Sequence, residues 1–78
     1  MPIAYVLINA ELGREKTVLK DLRAIENVSE VHLVYGVYDI IVKVEAENME
    51  KLKEILTFKI RRMKEIRSTL TMTVDEGI

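Results

Sequence analysis

The alternation of apolar and polar positions predicts six elements in the order β-α-β-β-α-β. Runs rich in β-branched and other apolar residues, typical of strands, occupy residues 3–9, 28–35, 38–45 and 66–75. Residues 14–26 carry apolar side chains at helical spacing opposite a charged face. The second helical series follows Asn48, an acceptable N-cap residue, and consists of Met49, Leu52, Leu56, Ile60 and Met63. This order predicts an α+β, ferredoxin-like fold, with two helices on one face of a four-stranded antiparallel sheet.

A glycine and a valine, Gly36-Val37, separate the second and third predicted strands. Glycine in the first central position is typical of a two-residue type II′ hairpin turn, and this turn fixes which residues oppose each other. Directly opposed residues share a face of the sheet. The pairs predicted to face the helices are Tyr35–Tyr38, Leu33–Ile40 and Val31–Val42. The pairs on the outer face are then Val34–Asp39, His32–Ile41 and Glu30–Lys43.

The last strand alternates larger apolar residues with threonines. If Leu70, Met72 and Val74 point at the helices, then Thr69, Thr71 and Thr73 lie on the outer face with Asp39. The usual strand order 4-1-3-2 puts Asp39 and Thr69 roughly 10 Å apart at one end of the sheet, a gap suited to a small polar molecule. An outer face that mixes apolar residues with threonines predicts a second subunit packed there. The alternative is a half-wet sheet face with residues chosen for β propensity alone.

The composition narrows the classes of function. A chain of 78 residues allows a single domain, 1–78, with a modest core, which favours self-association as a source of further burial. Cysteine is absent and His32 is the single histidine, so we expect neither a metal site nor another cofactor. The net charge of −1 gives no electrostatic footprint for nucleic acid. The basic residues that end the second helix complement its dipole; they are Lys59, Arg61, Arg62 and Lys64.

Cellular location is predicted from what the amino-acid pattern lacks. No apolar run reaches the ~20 residues that cross a bilayer, and the N-terminus lacks the pattern of a signal peptide. We therefore expect a cytoplasmic protein with no membrane partner. Charged residues make up 32% of the chain, which is typical of the dense surface ion pairs of thermophile proteins.

The segment Tyr35-Gly36-Val37-Tyr38-Asp39 resembles the Gly-x-Tyr-Asp signature of the regulation-of-amino-acid-metabolism (RAM) domain of Lrp/AsnC transcription regulators. The resemblance covers nearly the whole chain, through residues 4–8, 13–16, 25–28, 40–44 and 67–72. It implies a dimer formed through the sheets, often assembled into larger rings, that binds a free amino acid or an analogue at subunit interfaces. The positions to which it carries the effector-binding role are Tyr35, Gly36, Tyr38, Asp39, Thr69 and Thr71.

Two departures from the family pattern affect the expected function. Typical members carry a helix-turn-helix domain before the RAM domain, and nothing of that kind fits before Ile3. The sequence therefore resembles a stand-alone module that does not bind DNA directly and that modulates transcription by co-assembly with a full-length Lrp/AsnC regulator. The usual Pro-Gly before the last strand is replaced by Lys64-Glu65, which predicts a different loop shape.

Each candidate site residue has a structural alternative. Asp39 is suited to accept hydrogen bonds from a ligand ammonium, or else to cap backbone amides of the turn. The backbone N–H of Gly36 is suited to a ligand carboxylate, although a positive φ in the turn also requires glycine. The hydroxyls of Thr69 and Thr71 are suited to donate to a ligand, although threonine is also common on strands for its packing.

His32 supports a function of another class. Small dimeric α+β barrel enzymes have a similar topology and use a sheet histidine as an acid–base group. No second catalytic group stands at a recognisable spacing from His32. We therefore expect a non-enzymatic effector module, with the barrel enzyme as the alternative and a ligand-free assembly module as a third interpretation.

Overall fold

The strands and helices occur in the predicted order. The computed structural model describes residues 1–75. The strands are β1 (Ile3–Ala10), β2 (Val28–Leu33), β3 (Ile40–Glu45) and β4 (Ile66–Thr73). The helices are α1 (Glu15–Arg23) and α2 (Met49–Glu54), and α2 continues as a π-helical segment, Ile55–Ile60.

The four strands form one sheet in the order β2-β3-β1-β4, with antiparallel pairing between all neighbours. This is the predicted 4-1-3-2 order, and it makes β2 and β4 the edge strands. Alternate residues of β1 and β3 are buried under the helices, which cover them with Val18, Leu22 and Leu52 among others. The buried strand residues are Ala4, Val6, Ile8, Ala10, Ile40, Val42 and Val44. The fold is therefore the α+β, ferredoxin-like arrangement predicted from the pattern.

The second helix begins at the predicted residue but is not regular throughout. Asn48 is its N-cap, since the Asn48 Oδ1 accepts a hydrogen bond from the backbone N–H of Lys51 at 2.8 Å. Further along, the N–H of Arg61 donates to the C=O of Leu56 at 3.0 Å, a bond that spans five residues instead of four. Ile55 is buried beside Leu56, although the helical series predicted from the sequence did not include it.

The register of the hairpin is as predicted, but the turn is not. Leu33 pairs with Ile40 and Glu30 with Lys43, as the opposed pairs required. The strands nevertheless end at Leu33 and resume at Ile40, so residues 34–39 form a six-residue loop instead of a two-residue type II′ turn. The reason is that Asp39 bonds to β1, with its N–H donating to the C=O of Ile8 at 3.0 Å. The Val34 N–H still donates to the C=O of Asp39 at 2.8 Å, but the tight turn between them does not form. Tyr35 is therefore exposed, whereas Leu33 lies on the helix-facing side, opposite the buried Ile40, and is half exposed at the edge of the sheet.

The faces of β4 are the reverse of those predicted. Thr71 lies opposite Val6 and Thr69 opposite Ile8, so these threonines share the helix-facing side of the buried β1 residues. Thr73, opposite Ala4, follows the same side, while Leu70 and Met72 lie on the outer face. The prediction was wrong because the pairing with β1 decides the face of an edge strand, and the relative hydrophobicity of its two sides does not. We call the outer apolar residues the outer patch: Tyr5, Leu7, Ile41, Leu70 and Met72.

Candidate ligand-binding site

A cavity of about 430 Å³ lies at the end of the sheet where β1 stops and β4 starts. Its volume falls within the ~300–1,000 Å³ that is usual for small-molecule sites. The end of β1, the start of α1, the hairpin loop and the start of β4 each contribute to the wall. Its lining residues are Asn9, Ala10, Leu12, Glu15, Val37, Asp39, Arg67 and Ser68.

Asp39 is held in this cavity by the backbone of β1. Its Oδ2 atom accepts a hydrogen bond from the N–H of Ala10 at 3.1 Å. The carboxylate therefore caps an amide at the end of a central strand, whereas the structural role weighed for it from the sequence was to cap amides of its own turn. The two roles are compatible, because only one carboxylate oxygen is engaged by Ala10 and the residue still lines the cavity.

Two further charged residues reach the cavity from α1 and β4. Glu15 is the first residue of α1, and its Oε2 accepts a hydrogen bond from the N–H of Gly13 at 3.1 Å. Arg67 lies near the start of β4 and is exposed. Within residues 1–75, neither Arg67 nor the two carboxylates of the cavity form an ion pair with another side chain. The cavity thus offers two anionic groups and one cationic group to a ligand.

The structure brings one of the six predicted site residues, Asp39, into the cavity wall. Gly36 has the positive φ expected of it, +132°, and it lies with Tyr38 in the hairpin loop that contributes Val37 and Asp39. Tyr35 is fully exposed.

The two predicted threonines lie on the helix-facing side of the sheet. Thr69 is at the predicted end of the sheet, since Ile8 pairs with both Ile40 and Thr69, but the threonines do not lie on the outer face. The hydroxyl of Thr71 is buried without a hydrogen-bond partner in the described part of the chain. A role for Thr69 and Thr71 in effector binding stays a prediction, and the β4 residues that line the cavity are Arg67 and Ser68.

Sequence reasoning missed Glu15, Arg67 and the polar pair formed by Asn9 and Ser68. The Asn9 Nδ2 donates to the Ser68 Oγ at 3.4 Å across the β1–β4 ladder. The strand order carried a signal for Arg67, because an antiparallel β4 must start beside the end of β1. Glu15 had no comparable signal, since its position depends on how the loop after β1 returns to the helix.

Other features of residues 1–75 bear on alternative functions. These residues contain no group of three or more His, Asp and Glu side chains placed to hold a metal ion. None of their helices combines the length and the apolar character needed to cross a membrane. His32 lies on edge strand β2, away from the cavity; its side chain is 61% exposed and its Nε2 is 3.3 Å from the Glu30 Oε1.

Comparison with known proteins identifies the family. Residues 3–76 match the family model described as the Lrp/AsnC ligand binding domain. The chain belongs to this family. It is 41% identical to FFRP-DM1, whose crystal structure superposes with a TM-score of 0.94 and covers 96% of this chain and 100% of that one. It is also 40% identical, over 72 residues, to an uncharacterized HTH-type transcriptional regulator of Pyrococcus furiosus. That match covers 88% of this chain and 48% of the regulator, so the chain spans about half the length of the curated relatives of this type.

Two further similarities concern a segment of an enzyme and a regulator that shares the fold. A homocitrate synthase of Saccharolobus islandicus is 43% identical over 58 residues, which is 74% of this chain and 12% of the enzyme. A Neisseria meningitidis transcriptional regulator crystallised as a complex with L-Met shares the fold, with a TM-score of 0.80 at 12% identity, over 96% of this chain and 51% of that one. The Lrp/AsnC ligand-binding domain thus resembles parts of regulators and a small part of an enzyme.

Proposed function

We propose that this Lrp/AsnC ligand-binding domain is an effector-sensing and oligomerisation module of transcription regulation, and that it binds a free amino acid or an analogue in the cavity beside Asp39. The observation that carries the proposal is the presence of both signs of charge in one cavity next to the signature segment. A free α-amino acid is a zwitterion, so its site needs an acceptor for the ammonium and a donor for the carboxylate.

The cavity supplies both kinds of group. Asp39 is fixed by Ala10 and is placed to accept a charge-assisted hydrogen bond from the α-ammonium. Arg67 offers a guanidinium to the carboxylate, and Ser68 adds a hydroxyl from the same strand. The hydrogen bond from Ala10 already positions the Asp39 side chain, so less conformational entropy is lost when the ligand binds, which favours affinity.

Assembly of the domain is proposed to be linked to the ligand. The outer patch is an apolar sheet face that neither helix covers. A homodimer formed through it would bury an interface of standard scale, roughly 800 Å² per partner. At the cavity mouth, Leu12 is 96% exposed and Val37 is 83% exposed, so a further copy in a higher oligomer would bury both. A ligand enclosed in this way stabilises the assembly that encloses it.

The remaining parts of the proposal concern partners and catalysis. A full-length Lrp/AsnC regulator is the proposed macromolecular partner in the cytoplasm, and the domain is proposed not to contact DNA directly. We also propose that it is not an enzyme. The exposed position of His32, outside the cavity and beside Glu30, supports a surface role for the residue that suggested an enzyme.

The proposal is tested by native mass spectrometry of protein purified without dialysis, followed by calorimetric titration of the proteinogenic amino acids. We expect a dimer or larger oligomer that retains a small ligand, and at least one amino acid that binds more tightly than millimolar. If no amino acid or carried-over ligand binds, the sensing role is wrong and a purely structural assembly module replaces it. Turnover that is lost in His32→Ala would instead support the enzyme.

A further inference from the structure

The charges around the cavity do not balance for a neutral amino acid. Two carboxylates, Glu15 and Asp39, and one guanidinium, Arg67, line the wall. A ligand with one ammonium and one carboxylate pairs with one group of each sign, and this leaves one carboxylate of the wall without a cation. Within residues 1–75, no side chain forms an ion pair with either carboxylate to supply it.

Both carboxylates are held in place by the backbone. The Oδ2 of Asp39 accepts from Ala10, and the Oε2 of Glu15 accepts from Gly13, each at 3.1 Å. Each carboxylate therefore keeps one oxygen that these bonds do not engage and that is available to a ligand. A carboxylate in the cavity wall is disfavoured when an apolar ligand side chain excludes water from it, and it is stabilised when a cation pairs with it.

The three charged residues come from different sides of the cavity, so they can contact different ends of one ligand. Asp39 and Arg67 come from the hairpin loop and from β4, whereas Glu15 comes from the first turn of α1. The cavity has a volume of about 430 Å³, which gives a ligand room to extend from the sheet end towards α1. Asn9 and Ser68 are uncharged and form a hydrogen bond with each other, so they do not change the charge of the cavity.

We propose, resting on the sensing function above, that the effector is an amino acid with a cationic side chain, of the lysine, ornithine or arginine class. Arg67 pairs with its α-carboxylate and Asp39 with its α-ammonium. Glu15 pairs with the side-chain cation and is the residue that sets specificity. A ligand of net charge +1 then neutralises the net charge of −1 that the three wall residues carry.

The test compares lysine with norleucine, which has the same unbranched carbon chain without the terminal ammonium. It also includes Nε-acetyl-lysine, which keeps the carbon chain and the nitrogen of lysine but carries no side-chain charge. Calorimetric titration of the whole chain should give lysine, ornithine or arginine the highest affinity, about tenfold or more above norleucine. Glu15→Gln retains an oxygen for the Gly13 N–H but has no charge, so the ratio of lysine to norleucine affinity should fall about tenfold. Circular dichroism checks that the variant is folded.

Glu11→Gln is the matched control, because Glu11 is an exposed carboxylate just before the same helix and does not line the cavity. It should leave the affinity ratio unchanged. Tighter binding of a neutral amino acid than of every basic one, or an unchanged ratio in Glu15→Gln, overturns the specificity and leaves the sensing function standing. Absence of binding by every amino acid overturns the sensing function itself.

Discussion

Asp39 and Ala10 join the hairpin loop to the end of the central strand β1. The Oδ2 of Asp39 accepts the Ala10 N–H at 3.1 Å, and the Asp39 N–H donates to the C=O of Ile8 at 3.0 Å. One residue therefore stabilises the local fold and also lines the proposed effector site. Its two roles have to be separated by the choice of substitution.

The first prediction separates them with Asp39→Asn and Asp39→Ala. Alanine leaves the Ala10 N–H without its acceptor and should lower the free energy of unfolding by about 1–3 kcal/mol, whereas asparagine retains an oxygen and most of the stability. Both variants lose the carboxylate and should bind the effector about 10- to 150-fold more weakly. Urea unfolding at one protein concentration and calorimetric titration measure the two effects. Wild-type affinity in Asp39→Asn would show that Asp39 does not bind the ammonium.

The second prediction concerns the backbone of the hairpin loop. Gly36 has a φ of +132°, a region open almost solely to glycine, although a Cβ there would meet no atom within 4 Å. Gly36→Ala should therefore destabilise the fold by about 1–3 kcal/mol through backbone strain alone. Val37→Ala, at an exposed neighbouring position, is the control and should change stability little. Equal unfolding midpoints for the two variants would contradict the strained loop.

The third prediction is that the protein is not a stable monomer at micromolar concentration. Ile41 lies on the β3 side of the outer patch, opposite Leu7, so Ile41→Glu places an unpaired carboxylate in the proposed dimer interface. Val34→Asp should act in the same way at its margin. Sedimentation velocity should show dissociation for both, and none for Thr17→Glu on the exposed side of α1. A wild-type monomer would exclude the dimer.

The fourth prediction is that these 78 residues do not bind duplex DNA specifically. Both helices place buried residues, Leu22 and Leu52 among them, against the sheet, and the net charge is −1. An electrophoretic mobility assay at physiological salt should show no retarded promoter fragment that survives competitor DNA. Specific retardation would reveal a reading surface on the domain itself.

The hairpin and the start of the second helix show which structural features can be predicted from residues close together in the sequence. The register that pairs Leu33 with Ile40 was predicted from a two-residue turn at Gly36-Val37. It holds although that turn does not form, because a shift of one residue would turn every buried side chain to the outer face. The N-cap at Asn48 needed only its own side chain and the N–H of Lys51. The conformation of the loop between β2 and β3 was not predictable in this way. It depends on hydrogen bonds between Asp39 and two β1 residues, Ile8 and Ala10, that are distant in the sequence.

The sequence by itself determined the order of the elements, the register of the hairpin and the choice of Asp39 as a candidate effector-binding residue. Periodicity and capping act between residues close in the chain, so they can be inferred without the fold. The tertiary structure decided which side of β4 faces the helices, because Thr71 follows its partner Val6 and not its own polarity. It also decided that Glu15 and Arg67 share a cavity with Asp39, since three separate parts of the chain meet only when the sheet has formed.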